Sequence, residues 1–295
     1  MKTTLTGLME ARAAQFSKGQ RRIADYITAH YDEAAFMTAA RLGMEVGVSE
    51  STVVRFATEL GFTGYPQLQK AIQELIRSKL TILQRLDLTR SRMGQGDVLQ
   101  QVATSDMQNI RRTLEELDKE VFACGVDAIV AARKVYVFGA GSCKAMASFL
   151  THYLQLLLGG RVHMLSASSQ SEIFEEMLDV GPQDVVIGIS FPRYSSKAAK
   201  TLHYAHSKGA AIVALTDGPL SPIAPYATAL LTAHSDMAAV VDSLVAPLSV
   251  INALIVAVSL RTMDELRPKL EELERLWGDY QVYQTVDETE NGQEV

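Results

Sequence analysis

Cysteine is nearly missing from this sequence. Its 295 residues hold only Cys124 and Cys143, too few for a disulfide framework and not placed as a metal-binding pair. That scarcity fits a reducing, cytoplasmic setting. A leading apolar segment is missing too: MKTTLTGLMEARAAQF has no continuous hydrophobic stretch of the kind a secretory signal needs. Long hydrophobic runs are also scarce. The most apolar stretch, residues 245–258, is interrupted by Pro247, Ser249 and Asn252. It reads as a buried helix shorter than a membrane span, so no membrane partner is expected. Nor is there an excess of positive charge. The balance of 28 basic against 34 acidic side chains leaves a net charge of -6. That excludes a uniformly basic nucleic-acid binder, but not a module whose few cations face one way.

The chain is otherwise composed like a folded soluble protein, with 47% hydrophobic and 21% charged residues, and is long enough for two domains. Residues 1–80 carry ten basic side chains against eight acidic ones and read as helices. Ser17 is placed to cap KGQRRIADYITAHY, where Ile23, Ile27 and Tyr31 recur near helical spacing. Thr38 caps AARLGMEV, and Gly47 breaks it. Ser49 caps ESTVVRFATEL, which ends before Gly61. GFTGYP turns the chain into a further helix, LQKAIQELIRSKL.

Two short helices joined by a glycine turn form a helix-turn-helix, in which the second helix meets base edges. Leu42, Val48, Val53, Phe56 and Leu60 would lock the pair and face the core. Ser49, Glu50, Ser51, Thr52, Arg55 and Thr58 are left for solvent or for double-stranded operator DNA. The serine and threonine hydroxyls suit phosphate or base. Arg55 suits phosphate or a guanine edge. Spacing alone also allows an ordinary helical bundle with a capped helix. The stretch HYDEAAFMTAARLGMEVGVSESTVVRFATELGFTGYPQLQ narrows the choice. It resembles the N-terminal domain of the RpiR (MurR/RpiR) family of bacterial transcriptional regulators. The family's G-V-S-x-x-T-V-V-R-F and L-G-F-x-G-[FY] are matched from Val48 to Phe56 and from Leu60 to Tyr65. Gly43 stands where the family usually has alanine. Glycine there is expected to loosen the first helix by up to about 1 kcal/mol.

After residues 81–127, expected as a helical linker, the pattern changes. Apolar runs KVYVFGAG, RVHMLSA, DVVIGIS, AAIVALTD and ATALLTAH alternate with helical segments. That predicts an α/β domain over residues 128–280 with a central parallel sheet covered by helices. A helix is expected over residues 240–259, and LEELERLW reads as a continuation. Residues 281–295 form an acidic tail expected to be disordered.

Two loops after strands carry polar chemistry. Gly139 and Gly141 open a helix, where amides can hold an anion beside Ser142 and Cys143. A dinucleotide fingerprint is not met, because Lys144 stands where its third glycine belongs, and no cofactor is expected. After DVVIGIS come Ser190, Arg193, Tyr194 and Ser195, suited to phosphate or carboxylate; capping of the next helix would also explain the serine. Thr216, Asp217 and Ser221 read as turn-makers.

From Val135 onward the chain resembles a SIS (sugar isomerase) domain, a sugar-phosphate-binding α/β fold that serves as effector domain in RpiR-type regulators. The resemblance implies an anionic effector, expected to be a sugar phosphate, and assembly as a homodimer or homotetramer. It also implies contacts from Ser169 and Gln170, with Glu172 as either contact or helix cap. Two departures stand out. Cys143 replaces a serine in the first loop. Pro192, Arg193 and Ser195 replace the serine, glycine and threonine of the family's S-x-S-G-x-T. The expected function is a ligand-responsive regulator, most often a repressor in this family. The alternatives are a sugar-phosphate isomerase, with Glu172, Glu175, Glu176, His152, His203 or His206 as candidate acid or base, and a scaffold that has lost DNA binding.

Overall fold

The computed structural model describes residues 5–79, 82–83, 85–86, 96–236 and 241–283. The tail expected to be disordered lies outside them from residue 284 onward.

The N-terminal helices begin where small hydroxyl side chains meet helix amides. After α1 (Leu5–Arg12), Ser17 caps α2 (Lys18–Ala29) in a reciprocal box with Gln20. A single turn, α3 (Tyr31–Ala34), leads to α4 (Ala39–Val46), capped by Thr38 and closed by Gly47 at φ 72°. Ser49 caps α5 (Glu50–Glu59), and α6 (Tyr65–Lys79) follows. Ile23, Ile27, Leu42, Val53, Phe56, Leu68 and Ile72 are all fully buried, as the apolar spacing requires. The Phe16 and Phe56 rings meet at 5.2 Å. Tyr65 donates its hydroxyl to the Met37 carbonyl at 2.7 Å, and burial pushes its phenol up to about 12. That bond pins the entry to α4 against α6.

Gly43 does something other than loosen α4. A Cβ there would lie 2.8 Å from the Val48 carbonyl oxygen, closer than side chains pack. The missing methyl is what lets the chain after the turn fold back onto α4. The expected cost of the glycine is therefore overturned by the close approach it permits.

The stretch read as a linker carries α7 (Val98–Glu116) and α8 (Lys119–Ala131). Both pack on the second unit. A Cβ at Gly125 of α8 would lie 3.4 Å from Ala229 and 3.6 Å from Val213. That unit alternates strand and helix: β1 (Val135–Gly139), α9 (Cys143–Leu158), β2 (Val162–Met164), α10 (Gln170–Glu176), β3 (Val185–Ile189), α11 (Ser196–Ser207), β4 (Ala211–Thr216), β5 (Ala229–Thr232) and α12 (Val245–Asp279). All pairings are parallel, in the order β2-β1-β3-β4-β5. β1 and β3 are buried along their whole length, so their apolar runs lack alternation. One face packs α8, α9 and α12, through Val126, Leu150, Leu154 and Ile251. The other packs α10 and α11, through Ile173, Ala198 and Leu202. Gly188 lets α11 close in, since a Cβ there would meet Leu202 at 2.5 Å.

The C-terminal apolar run is longer than expected. LEELERLW continues the helix as its pattern suggested, and α12 runs unbroken for 35 residues through Pro268. By length and composition alone, its window Val245–Asp264 is long enough to cross a membrane. On its inner side Ala246, Val250, Ile251, Leu254 and Val258 are buried, the last four within the core of the sheet, and 39% of the window is buried.

Candidate functional sites: a duplex-reading helix and a cleft at the sheet's end

The first site is built on α5. Buried Val53, Phe56 and Ala57 fix its inner face. The outer face carries the six residues singled out from the sequence. Ser49, Glu50, Ser51, Arg55 and Thr58 are exposed and Thr52 is half-buried. The Ser49 hydroxyl lies 2.9 Å from that of Ser51 and 2.8 Å from that of Thr52, a cluster at the positive end of the helix. Arg55 rests its Nε on the Ser51 carbonyl at 3.3 Å, which keeps its guanidinium along the helix rather than inside the protein. Small side chains and one arginine on an otherwise open face let a helix approach a groove closely.

Two neighbours were missed in the sequence. Arg22 of α2 is exposed and donates to the Gly47 carbonyl at 3.4 Å, across the turn. Val54 stands 37% exposed in the middle of the outer face. Neither signal is legible without knowing how α2 crosses α5.

The second site lies at the C-terminal end of the sheet. With strand order 2-1-3-4-5, chain direction switches between β1 and β3, where a crevice opens for ligands. The two loops chosen from the sequence, after β1 and after β3, flank that point. Gly139 ends β1 with no room for a side chain: a Cβ would sit 2.5 Å from the Cys143 carbonyl. Gly141 follows at φ 61°, so the loop folds tightly over the strand end. Gly141 and Ser142 are exposed there, and Ser142 places no side-chain cap on α9. Cys143 differs from expectation. It is 4% exposed, and burial raises its thiol above the ordinary range despite hydrogen bonds from the Phe191 backbone and Ser142. It ties the two loops together as a neutral thiol rather than lining the opening.

Ser190 is buried at the end of β3, its amide on the Leu215 carbonyl at 3.1 Å. Arg193 is exposed beyond it, and Tyr194 is half-buried. Ser195 caps α11 through the Lys197 amide at 3.2 Å. From the β2 side, Ser169 caps α10 in a reciprocal box with Glu172, which gives Glu172 its capping role. Gln170 donates to the Thr201 hydroxyl at 3.3 Å, while its Oε1 is buried without a partner among the described residues. Lys197 bonds the Ser168 carbonyl, drawing this loop to α11. His203 and His206 stack near Tyr226 on the outside of α11, away from the strand ends.

The loop after β4 does more than turn. Tyr194 donates its hydroxyl to the Asp217 carboxylate at 2.8–2.9 Å. Thr216 donates to the Ser190 carbonyl at 2.6 Å and lies 2.7 Å from the Ser221 hydroxyl. Three residues beyond Asp217, Leu220 packs against the core of the N-terminal helices. A second contact joins the same two units: Lys70 of α6 lies 3.9 Å from Glu116 of α7.

A duplex-reading helix pair carried with an α/β ligand-binding unit defines a DNA-binding transcriptional regulator. The comparisons say which kind. Residues 3–79 match the helix-turn-helix domain of the rpiR family and residues 128–257 the SIS domain. An RpiR transcription factor from Sphaerobacter thermophilus, solved as its sugar isomerase domain, is 32% identical with a TM-score of 0.56, covering 59% of this chain and 97% of that one. HTH-type transcriptional regulator HexR of Pseudomonas aeruginosa is 23% identical over 269 residues, 89% of this chain and 91% of HexR. The NanR protein of Vibrio vulnificus, complexed with ManNAc-6P, shares the fold at 20% identity and a TM-score of 0.57, covering 92% of this chain and 99% of its own. The chain belongs to the RpiR family of transcriptional regulators, and HexR of Pseudomonas aeruginosa and HexR of Escherichia coli, which it matches over most of its length, are both named as HTH-type transcriptional regulators.

Proposed function

We propose that this regulator is a cytosolic homodimeric repressor whose hold on DNA is set by a sugar phosphate bound between the loops after β1 and β3. The observation that carries the reading is the loop after β4. One end of it, Asp217, is bonded to Tyr194 of the effector loop; three residues on, Leu220 seats against the DNA-binding unit. A ligand that moves Tyr194 therefore bears on how the helix pair is held. Such a ligand shifts the equilibrium only by its difference in affinity for the two arrangements.

The anion chemistry follows from the cleft. Gly141 and Ser142 let an oxyanion come close to backbone amides, and Arg193 supplies a cation able to grip phosphate by two parallel bonds. NanR, a protein of the same fold, was solved with ManNAc-6P, which favours a phosphorylated sugar over a sugar acid. Two helix pairs one duplex turn apart require two copies. The exposed Val256, Leu260 and Met263 of α12, four and three residues apart, form the stripe a second copy would cover.

Calorimetric titration with a panel of hexose and aminosugar phosphates, their unphosphorylated forms, sugar acids and inorganic phosphate tests this. Saturable binding of a phosphosugar, absent for the free sugar and weakened about ten-fold or more in Arg193→Ala, is expected. Tighter binding of a sugar acid, or no effect of the variant, overturns the assignment of ligand or of Arg193. In DNA binding, the same phosphosugar is expected to release the duplex; tighter binding would make the protein an activator or co-repressed regulator instead.

A further inference from the structure

We infer that the DNA interface extends beyond the predicted residues of α5 to Arg22, which holds a backbone phosphate, and Val54, which reads a thymine methyl group. The reason begins at Gly19. A Cβ there would lie 3.3 Å from Val48 and 3.6 Å from Thr52. Only a small residue lets the first turn of α2 lie against the turn and the start of α5. That crossing carries Arg22 over Gly47. Its Nη1 reaches the Gly47 carbonyl at 3.4 Å, a long bond, and a Cβ on Gly47 would stand 2.7 Å from Nη2. The guanidinium thus lies across the one residue that separates the two helices of the motif. It stays exposed, with most of its five donors uncommitted by that single contact. In a docked helix-turn-helix the strand backbone passes the turn and the start of the second helix. A cation fixed there meets a phosphate and sets register.

Val54 sits where the bases would be. The outer face of α5 runs Ser51, Val54, Arg55, Thr58, at the three- and four-residue steps of one helical stripe. Every other member is polar. An isolated exposed valine needs no explanation on an ordinary surface, but this one lies at the centre of a face built to approach a groove, next to short hydroxyl side chains. In the major groove the apolar feature a valine can meet is the thymine 5-methyl.

The test uses the full-length protein and a duplex chosen by selection from a random library. Arg22→Ala, Arg22→Lys and Val54→Ala are compared by anisotropy titration across a salt series, with thermal unfolding run alongside. Arg22→Ala is expected to weaken the selected and a scrambled duplex alike. It should reduce the slope of log affinity against log salt by about 0.9, one phosphate's worth, which Arg22→Lys restores. Val54→Ala is expected to weaken the selected duplex only, by about four-fold, one buried methyl's worth. Replacing single thymines by deoxyuridine should cost the wild type a similar factor at one position, and cost Val54→Ala nothing there. An unchanged salt slope in Arg22→Ala overturns the phosphate contact, even where its unfolding temperature falls. Equal deoxyuridine sensitivity in wild type and Val54→Ala, or none in either, overturns the methyl contact.

Discussion

At position 43 a hydrogen in place of a methyl group decides how closely the chain after the turn can approach α4. Helix propensity alone favours alanine by about 1 kcal/mol. The structure reverses the sign, because the added methyl would press on the Val48 carbonyl at 2.8 Å, and backbone cannot swing aside as a side chain can. Gly43→Ala is expected to destabilise the N-terminal unit by about 1–3 kcal/mol. A denaturant titration showing a higher midpoint would refute this. Position 55 is different in kind: Arg55 is exposed and packs no core. Arg55→Ala should leave the unfolding midpoint nearly unchanged and weaken DNA binding. A loss shared by all duplexes marks a phosphate contact, and a loss confined to the preferred duplex marks a base contact.

Among the elements, α7 shows how much a helix read only as amphipathic can conceal. Its docking is polar. Thr113 accepts from the His234 amide at 2.8 Å, Asn109 donates to the Asp236 carbonyl at 3.2 Å, and Ser243 donates to Asp106 at 2.5 Å. His234 is 8% exposed, and its ring nitrogen lies 2.9 Å from the Glu116 carboxylate. Burial lowers its affinity for a proton; Glu116 opposes this, and Arg112 and Lys70 add to it. The unfolded chain therefore takes up this proton more readily than the folded one. Stability should fall as pH drops below about 6.5, the ordinary histidine value, towards the lower folded value. His234→Gln is expected to flatten the dependence of unfolding temperature on pH between about 7.5 and 5.5. An equally steep profile in the variant would rule His234 out as its source. None of this was legible in the sequence, since the partners of His234 lie over a hundred residues away. What was legible rests on local rules. Ser17, Thr38 and Ser49 announce helix starts by hydroxyl capping, and Gly47 announces the turn by its φ. β1 and β3 announce burial on both faces by unbroken apolar runs. β2 spans only Val162–Met164, because a short edge strand needs little apolar pattern. The continuation of α12 through LEELERLW was legible in its apolar spacing, and Pro268 does not break it. In the cleft, the strand-end loops were found by composition. The pairing of Tyr194 with Asp217, and the burial of Cys143, depend on how loops after different strands converge.

At the scale of the whole molecule, the contacts between the two units among the described residues make their coupling testable. Leu220 and the Lys70–Glu116 pair join them. The ion pair is exposed at 43% and 54% and contributes little in water, so the apolar contact is the better candidate for transmitting a ligand's effect. Coupling between two binding sites is reciprocal: the factor by which effector changes DNA affinity equals the factor by which DNA changes effector affinity. For a natural regulator that factor is about 5–150. Leu220→Ala leaves the residues of both sites in place. It should therefore preserve binding of effector alone and shift the factor towards one in both directions of measurement. Tyr194→Phe removes the hydroxyl that holds Asp217 and should likewise shift the coupling factor towards one, with the two changes together little worse than either. A double variant in which the losses multiply would mean that Tyr194 and Leu220 act through separate routes, and the loop after β4 would not be the connecting element.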